Sequence, residues 1–538
     1  MKETKIPFII SITGHIDIDK ISLDFVEKEL NILFAELKNK LSNTPIYLMS
    51  ALAEGSDRIV AKIALDNNIQ LLCPLPFEKD EYKKDFISVK SKNEFEELIS
   101  KSVNSYFVGY HKLNTKEHTE DRSLQYQTVG KHLSDNCNLL IALWDEKMLD
   151  KEGGTSWVIS HKRKNMNDTL YSGLDGNAIV KIPIKRISSH NEHEKTTYTV
   201  KYEYLGEKIN TKKKYFKLLE ELNDMNTSYT QENIQNSSKN TFEIFRDYFD
   251  NKAIKYQSSV KKSTTVMVIF SWFAVLSLEL LHNFQILWTM FVYVFIILFM
   301  FGYFHFKIKK NRIEDSFIFY RGLCEALRIQ NYWNMAGIKE TVSKFYLKKQ
   351  FFNLVWMKLV LKNIYVLKYF INNENEAENI KLVKTDWVEN QLNYFNNNLK
   401  SRKEKYYRLE HIEHVLYKFG LIFTVITIIV FLGKFFHLEI GLTHEQLKFL
   451  FHFVLFLSGI LLVTAAYIGE KYLHITGYKE EITSFEIAHS IFKQANILLE
   501  DVNIDQKFIL KELGKEALEE NSQWVLLHDG RKISPSLE

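Results

Sequence analysis

The stretch IYLMSALAEGSDR, Ile46–Arg58, decides how the N-terminal region of this chain folds. Its first four residues are apolar and predict a buried strand, and the small residues after them predict a sharp turn. The closing residues predict the first turn of a helix. In such a turn the backbone N–H groups can point at a phosphate, and the N-terminus of the helix adds its positive end. The stretch therefore predicts a phosphate-binding turn at the end of a strand.

Strands and helices alternate on both sides of this turn. Further strands are predicted at Ile6–Ile12, Ile69–Phe77, Asn138–Asp145 and Ala178–Ile184, and helices at Leu23–Leu41, Asp57–Asp66, Asn93–Lys101 and Tyr126–Leu133. Such an alternation is typical of a doubly wound parallel sheet, whose ligands bind at the carboxyl ends of the strands. We therefore expect an α/β N-terminal domain of Rossmann-like type with a parallel sheet.

Four long apolar segments follow in the rest of the chain. They are Thr264–Leu281, Ile286–Phe306, Phe419–Phe436 and Phe449–Gly469. Each has about the 20 residues that a helix needs to cross a bilayer. Buried core helices of a soluble protein are the alternative, but the pairing of the segments and their charged flanks favour membrane spans. We expect an all-α membrane domain with four transmembrane helices and long cytosolic helices.

Basic residues lie on one side of both pairs of segments. Lys261 and Lys262 precede the first segment, and Lys307 and Lys309 follow the second. The connection between these two segments contains neither Lys nor Arg. The positive-inside rule then places both termini in the cytoplasm. We expect a multi-pass protein of the cell inner membrane, with the lipid bilayer as a partner.

These patterns divide the chain into five predicted parts. Residues 1–205 form the α/β domain, and residues 206–262 form a helical linker. Residues 263–345 form a first transmembrane hairpin with a cytosolic helix, residues 346–416 a cytosolic helical segment, and residues 417–538 a second hairpin with cytosolic C-terminal helices. An amphipathic helix follows each hairpin, which indicates a duplicated unit. Its apolar face needs a partner, either the other copy or a second subunit, and we expect a homo-oligomer.

The composition excludes several classes of protein. The 538 residues carry a net charge of only +4, which gives no reason to expect nucleic acid as a partner. The cysteines Cys73, Cys137 and Cys324 lie far apart without a CxxC pair, so we predict no zinc site and no disulfide framework. The sequence contains no Ser-His-Asp set and no Walker loop. We predict no catalytic residue, no metal ligand and no cofactor other than the ligand itself.

The predicted ligand site takes its residues from the strand ends. Ser50 and the backbone amides through Gly55 are expected to cradle a phosphate, and Glu54 or Asp57 to bind ribose hydroxyls. Arg58 is expected to offer a bidentate phosphate contact. The alternative is that Asp57 caps the helix and that Arg58 is solvated. The full predicted set is Thr13, Gly14, His15, Ser50, Ala51, Leu52, Glu54, Gly55, Asp57, Arg58, Pro76, Tyr126, Asp145, Gly153, Gly154 and Thr155.

Two further turns belong to this set. Gly14, after the first strand, permits close approach of the backbone to a ligand. His15 is expected to donate to a phosphate or sugar oxygen, with a solvated turn residue as the alternative. The loop Gly153–Thr155 is predicted to be a second phosphate loop. Tyr126 is expected to stack on a base, with simple packing as the alternative.

Several segments of the sequence resemble known families. A resemblance to the SLOG superfamily, the Rossmann-like group that includes the Lonely-guy and DNA-processing A proteins, is carried by SITGHID, MSALAEGSDRIVA, PLPFEKDEYKKDF and CNLLIALWDEKMLDKEGGTSWVI. It covers about Ile6–Ile184. The membrane part resembles the SLATT-type two-helix effector modules that are often fused to SLOG domains, through YRGLCEALRIQNYWNMAGI, DWVENQLNYF and ENSQWVLLHDGRKISP.

The resemblance implies a function for the chain. Its ligand would be a nucleotide-derived second messenger, sensed by the cytosolic SLOG domain. The membrane part would respond by forming a pore or disrupting the membrane in prokaryotic anti-phage defence. An enzyme that produces the messenger would be encoded nearby.

The resemblance also bears on whether the chain is an enzyme. Lonely-guy phosphoribohydrolases use a PGGxGTxxE loop whose Glu takes part in catalysis. Here the loop reads EGGTSWVIS, and Val158 stands at the place of that Glu, while Glu54 remains as a candidate acid. Binding is therefore favoured over turnover. A membrane-anchored Lonely-guy-like nucleotide phosphoribohydrolase is the alternative, and a membrane scaffold that has lost its ligand is a third interpretation.

Overall fold

Seven strands of the described chain form one sheet. They are β1 (Phe8–Gly14), β2 (Ile46–Met49), β3 (Gln70–Leu75), β4 (Asn104–Phe107), β5 (Leu139–Trp144), β6 (Asn177–Pro183) and β7 (Lys201–Leu205). Their order is β4-β3-β2-β1-β5-β6-β7, and neighbouring strands run parallel except for β6 and β7. The predicted α/β domain with a parallel sheet is confirmed, and the antiparallel β7 extends it by one edge strand.

The structure is a computed structural model. It describes residues 5–109, 119–147, 153–164, 177–188, 198–205, 210–230, 240–284, 286–310, 312–346, 355–370, 379–435, 443–469, 478–501 and 503–530. The chain divides into two compact units. The first contains Met1–Tyr248, Ala326–Asn331 and Lys339–Ala377, and the second contains Phe249–Glu325, Tyr332–Ile338 and Glu378–Glu538. The finer division into five parts stays a prediction.

The central strands are covered on both faces. Every residue of β2 and β5 is buried, and so are the first six residues of β1. Their continuous apolar runs are typical of parallel strands between two layers of helices. The chain moves outward from β1 through β2, β3 and β4, and then returns to β5 on the other side of β1. The strand order therefore reverses between β1 and β5, which is where doubly wound sheets bind ligands.

In the described part of the chain, six α-helices lie between these strands, and a seventh follows β7. They are α1 (Lys20–Lys40), α2 (Ser56–Asp66), α3 (Lys79–Tyr82), α4 (Val89–Ser100), α5 (Thr119–Asn136), α6 (Thr155–Lys164) and α7 (Lys212–Thr230). Helix α1 begins after Asp19, whose carboxylate accepts a hydrogen bond from Ser22 N at 2.8 Å and so satisfies one free donor of the first turn. The predicted helices at Leu23–Leu41 and Asp57–Asp66 correspond to α1 and α2.

Helix α7 is anchored to the start of the sheet by one buried side chain. Asn226 Oδ1 accepts from Ile6 N at 2.9 Å, and Asn226 Nδ2 donates to Ile6 O at 2.8 Å and to Thr44 Oγ1 at 2.9 Å. The amide of Asn226 therefore takes the place of a neighbouring strand residue beside β1. The segment predicted as a helical linker thus contributes α7 to the first unit.

The rest of the described chain is helical. Its helices are α8 (Thr241–Phe284), α9 (Trp288–Tyr303), α10 (Ile313–Met335), α11 (Val355–Val366), α12 (Ile380–Val383), α13 (Asn390–Phe435), α14 (His444–Tyr467), α15 (Tyr478–Leu498) and α16 (Gln506–Gly530). Four helical stretches are long and apolar enough to cross a membrane, namely Thr241–Phe284, Trp288–Met335, Ile380–Gly433 and His444–Ala466. The predicted all-helical C-terminal region with four such helices is confirmed.

Large apolar side chains cover the surface of these four helices. Phe291 is 77% exposed, Phe295 is 67% exposed and Ile429 is 62% exposed. Their helices satisfy the backbone hydrogen bonds internally, as the hydrocarbon core requires. An apolar surface of this kind suits lipid as the surrounding solvent.

The second unit contains two similar arrangements of three helices. In the first, Tyr320 of α10 stacks on Phe249 and Tyr256 of α8, with ring centroids 5.9 and 5.7 Å apart. In the second, Phe485 of α15 packs on Tyr394 and Phe395 of α13, at 6.2 and 5.4 Å. Each arrangement joins a helix of more than 40 residues, a second apolar helix and a third helix that packs back on the first. These shared features agree with the predicted duplication.

Replacement of Asn226 by Ala is expected to destabilise the first unit. Ile6 would lose partners for both backbone groups inside the core, which costs about 2–3 kcal/mol. The thermal unfolding midpoint of the first unit in the detergent-solubilised full-length protein would fall by about 5–10 °C. Asp224→Ala, an exposed change on the same helix, is the matched control and should leave the midpoint within about 1 °C. An equal shift for both variants would contradict this role of Asn226.

Candidate functional site

Two predicted residues meet where the strand order reverses. His15 follows β1 and Asp145 follows β5, and His15 Nε2 lies 3.0 Å from Asp145 Oδ1. The pairing of Gly14 with Leu143 sets the register that brings them together. Both side chains are only about one-tenth exposed. The carboxyl edge of the sheet therefore carries a hydrogen-bonded imidazole–carboxylate pair at the position expected for a ligand.

The backbone of His15 also anchors α2. Ser56 N and Ser56 Oγ donate to His15 O at 3.1 and 2.5 Å. A Cβ at Gly14 would collide with Ser56, and a Cβ at Gly55 would collide with the backbone of Ile16. Gly55 has φ +81°, a conformation that L side chains rarely adopt. Both glycines are therefore required because two chain segments approach each other closely at these positions, and this requirement does not depend on a ligand.

The backbone is strained after β2 and after β5, the two strands that flank β1. Leu52, after β2, has φ 55°, and Glu146, after β5, has φ 60°, so both lie in the left-handed region that non-glycine residues seldom occupy. The first turn is organised by Ser50, whose Oγ accepts from Leu52 N at 3.1 Å. Such conformations persist where the surrounding structure enforces them, often at binding sites.

Asp57 lies inside this turn. Its side chain is buried, Ser50 Oγ lies 3.4 Å from Asp57 Oδ2, and the backbone amide of Ala53 also bonds to the carboxyl. Burial raises the pKa of Asp57 to about 7, and the two hydrogen bonds only partly oppose this rise. Asp57 therefore supports the turn from within, and the structure places it away from the surface where a ribose would approach.

Arg58 is a buried part of the framework. Its Nε donates to Leu52 O at 3.0 Å, and its Nη1 donates to Ser91 O and Ser91 Oγ, both at 2.8 Å. Nη1 also lies 3.0 Å from Glu94 Oε2, and the guanidinium carbon stands 4.3 Å from the centre of the Phe86 ring. The expected phosphate contact and the solvated alternative both place Arg58 at the surface, whereas here it joins α2 to α4.

Glu54 belongs to the same network. Its carboxylate accepts a hydrogen bond from Ser91 Oγ. Sequence reasoning missed Ser91 and Glu94, because nothing in the local pattern of α4 marks them as partners of Arg58. The only signal would have been an arginine that directly follows a buried strand and a turn of mostly small residues, where it needs a buried acceptor.

An aromatic cluster lies at the end of β3. The Phe77 ring, next to Pro76, packs edge-on against Tyr126 at 5.7 Å, and Arg122 stands 4.2 Å from the centre of Phe77. The Tyr126 hydroxyl donates to Asp85. Tyr126 is thus held by packing and by a hydrogen bond within the protein. This agrees with simple packing, the predicted alternative to stacking on a base.

The second predicted loop opens α6. Gly153 has φ 73° and lies against the backbone of Tyr126 and Gln127, and α6 begins at Thr155. Val158, at the place of the catalytic Glu of Lonely-guy enzymes, is buried, and its N–H donates to Gly154 O at 3.0 Å. The start of α6 is thus a helix N-terminus of the kind that accepts anions. Residues 148–152 lie outside the described part of the chain.

Two further predicted residues lie in the interior of the domain, close to the strand ends. Thr13 in β1 and Ala51 after β2 are both buried. Among the described residues, no group of three or more His, Cys, Asp or Glu side chains could hold a metal ion. His15, Asp145 and the start of α6 all follow β1 or β5, the two strands at the reversal, and all of them are partly exposed.

Fold and site define a class of protein. Proteins of this class contain a doubly wound α/β domain and helices that are long and apolar enough to cross a membrane. In this chain the His15–Asp145 pair lies at the strand reversal of the α/β domain. No protein-family model, curated protein or solved structure matches the chain. The assignment of a function therefore rests on the geometry and on the sequence resemblance.

Replacement of Asp57 by Asn is expected to change how stability depends on pH. The pKa of Asp57 is raised to about 7 in the folded protein, above its ordinary value of 3.8 in the unfolded chain. Between these two pKa values the folded protein keeps a proton on Asp57 that the unfolded chain releases. The free energy of unfolding therefore decreases as the pH rises from about 4 to 7. The side-chain amide of the Asp57→Asn variant does not titrate, so the variant does not show this loss.

The measurement is the unfolding midpoint of both proteins between pH 5 and 8. The midpoint of Asp57→Asn relative to wild type should increase up to about pH 7 and then become constant. A difference that does not vary with pH would show that the Asp57 carboxyl is ionised in the folded protein.

Proposed function

We propose that this chain is a membrane effector of a nucleotide-signalled anti-phage defence system in prokaryotes. Its α/β domain would bind a nucleotide-derived second messenger in the cytosol, and its four apolar helices would then form a pore or disrupt the inner membrane. The observation that carries this proposal is the His15–Asp145 pair at the strand reversal of a chain with four membrane-crossing helices. The resemblance to SLOG and SLATT domains supports the same conclusion.

The chemistry of the pair suits a nucleotide. Asp145 accepts from Nε2 of His15, which leaves Nδ1 for a ligand. A neutral imidazole would accept there from a ribose hydroxyl, and a protonated one would donate to a phosphate. The N-terminus of α6 would add backbone donors and its positive end to a second phosphate. These groups bind polar ligands without any need for a reactive nucleophile.

The membrane response needs a difference in ligand affinity between two states. A messenger shifts the helices only if it binds the open arrangement more tightly than the closed one. Four spans per chain are few for a conducting path, so the effector would act as a homo-oligomer in the bilayer. The basic flanks of the spans support cytoplasmic termini and an inner-membrane location. An enzyme encoded nearby would supply the messenger, and nucleic acid is not a partner.

A hydrolase is the second candidate function. An imidazole paired with a carboxylate is a common general acid–base arrangement, which favours it. The buried Val158 in place of the catalytic Glu argues for binding without turnover. A scaffold without a ligand is the third interpretation.

Dye release from liposomes carrying the full-length protein tests the proposal. A panel of cyclic oligonucleotides, ADP-ribose derivatives and modified mononucleotides is added from the side that exposes the α/β domain. One of them should release the dye at least tenfold faster than buffer. His15→Ala and Gly154→Asp should abolish the release, because they remove a donor and place a negative charge at the start of α6.

Ile32→Asp is the matched control, since it adds the same charge to an exposed position of α1 in the same domain. It should keep the release. Ligand binding without release would contradict the effector function. Liberation of a free base from a nucleoside monophosphate, lost in His15→Ala, would establish the hydrolase instead.

A further inference from the structure

One carboxylate lies inside the apolar helices of the second unit. Glu279 belongs to α8, five residues before its last residue, Phe284. Side chains of a helix tilt toward its N-terminus, so the Glu279 side chain leads away from the nearer helix end. A charged side chain within a membrane span is expensive and generally has a function.

The carboxylate rests on a glycine of α14. A Cβ at Gly459 would lie 3.1 Å from Cδ and from both carboxylate oxygens of Glu279. Gly459 stands ten residues from either end of the apolar segment Phe449–Gly469, which is about 15 Å at 1.5 Å per residue. The Glu279 carboxylate therefore lies beside the middle of the apolar segment Phe449–Gly469, while Glu279 itself stands two residues before the end of the apolar segment Thr264–Leu281.

Other contacts hold α8 and α14 in this register. Trp272 Nε1 donates to Thr464 Oγ1 at 3.4 Å on one side of the glycine. Phe284 packs on Phe456 at 5.5 Å on the other side. The position of the carboxylate over Gly459 thus follows from the packing of two helices, and the missing side chain of the glycine makes room for it.

Asn283 is the hydrogen-bond partner of this carboxylate. Asn283 Nδ2 donates to Glu279 Oε2 at 2.9 Å and to Glu279 O at 3.1 Å. Asn283 is 4% exposed, and its Oδ1 has no hydrogen-bond partner among the described residues. Within the same described part of the chain, no Lys, Arg or His pairs with Glu279. The carboxyl group of Glu279 and the buried amide of Asn283 are therefore joined, and the amide oxygen has no partner among the described residues.

We propose that Glu279 and Asn283 form an intramembrane binding site for one monovalent metal cation, Na⁺ or K⁺. The carboxylate would supply a single negative charge, and the amide bonded to it would supply a neutral oxygen ligand, Asn283 Oδ1. Ca²⁺ takes six to eight oxygen ligands, and Mg²⁺ keeps several waters that apolar helices cannot accommodate, so one carboxylate and one amide oxygen suit a monovalent ion. This site is independent of the proposed nucleotide function.

The test is the thermal unfolding midpoint of the full-length protein in detergent at pH 8. Choline chloride is replaced stepwise by NaCl or KCl at constant ionic strength. A ligand that binds only the folded state raises the midpoint in a saturable way. The wild-type midpoint should rise by several degrees in at least one metal salt, and Glu279→Gln should lose at least nine-tenths of that rise.

Glu404→Gln is the matched control, because Glu404 is exposed on α13 outside the apolar segment. It should keep the full rise. The site is disproved if the wild-type midpoint is the same in choline, sodium and potassium chloride, as it would be if Glu279 held a proton instead. It is also disproved if Glu279→Gln keeps the cation-dependent rise.

Discussion

The pairing of β1 with β5 is the interaction on which the first unit depends. It is the junction between the two halves of the sheet, and its paired residues from Ile10–Leu139 to Thr13–Ala142 are all buried. A slip of one residue would turn these side chains to the opposite faces and separate His15 from Asp145. At the same edge of the sheet, His15 O accepts a hydrogen bond from Ser56 N at the start of α2. The pairing of β1 with β5 therefore positions both the candidate site and this helix.

A different constraint governs the second unit. Long apolar helices must satisfy their own backbone groups and must avoid charges, because the hydrocarbon core supplies neither hydrogen bonds nor solvation. Gly459 and Gly420 show how these helices come close together. A Cβ at Gly420 would press on Leu462, and Ser458 Oγ donates to Gly420 O at 3.2 Å. Small residues and local hydroxyl bonds are the usual means of packing helices in lipid.

Polar residues of the candidate site divide into two groups with different roles. Ser50, Asp57 and Arg58 are buried and hold the turn after β2 in a strained conformation. His15 and Asp145 are slightly exposed and are paired with each other through His15 Nε2. The strongest sequence signal, the turn Ile46–Arg58, therefore marks mainly the framework, whereas the partly exposed His15–Asp145 pair has the weaker signal. A phosphate turn and a structural turn need the same small residues, so the pattern cannot separate them.

The sequence by itself determined the alternation of strands and helices and the four apolar helices. Both depend on local periodicity and on the length of apolar runs, which neighbouring residues specify. Only the tertiary structure decided that Arg58 lies under Ser91, 33 residues away, and that His15 meets Asp145, 130 residues away. It also placed Glu279 on Gly459 and α7 beside β1. These contacts depend on strand order and helix register, which arise from the packing of distant segments and leave no mark in the local pattern.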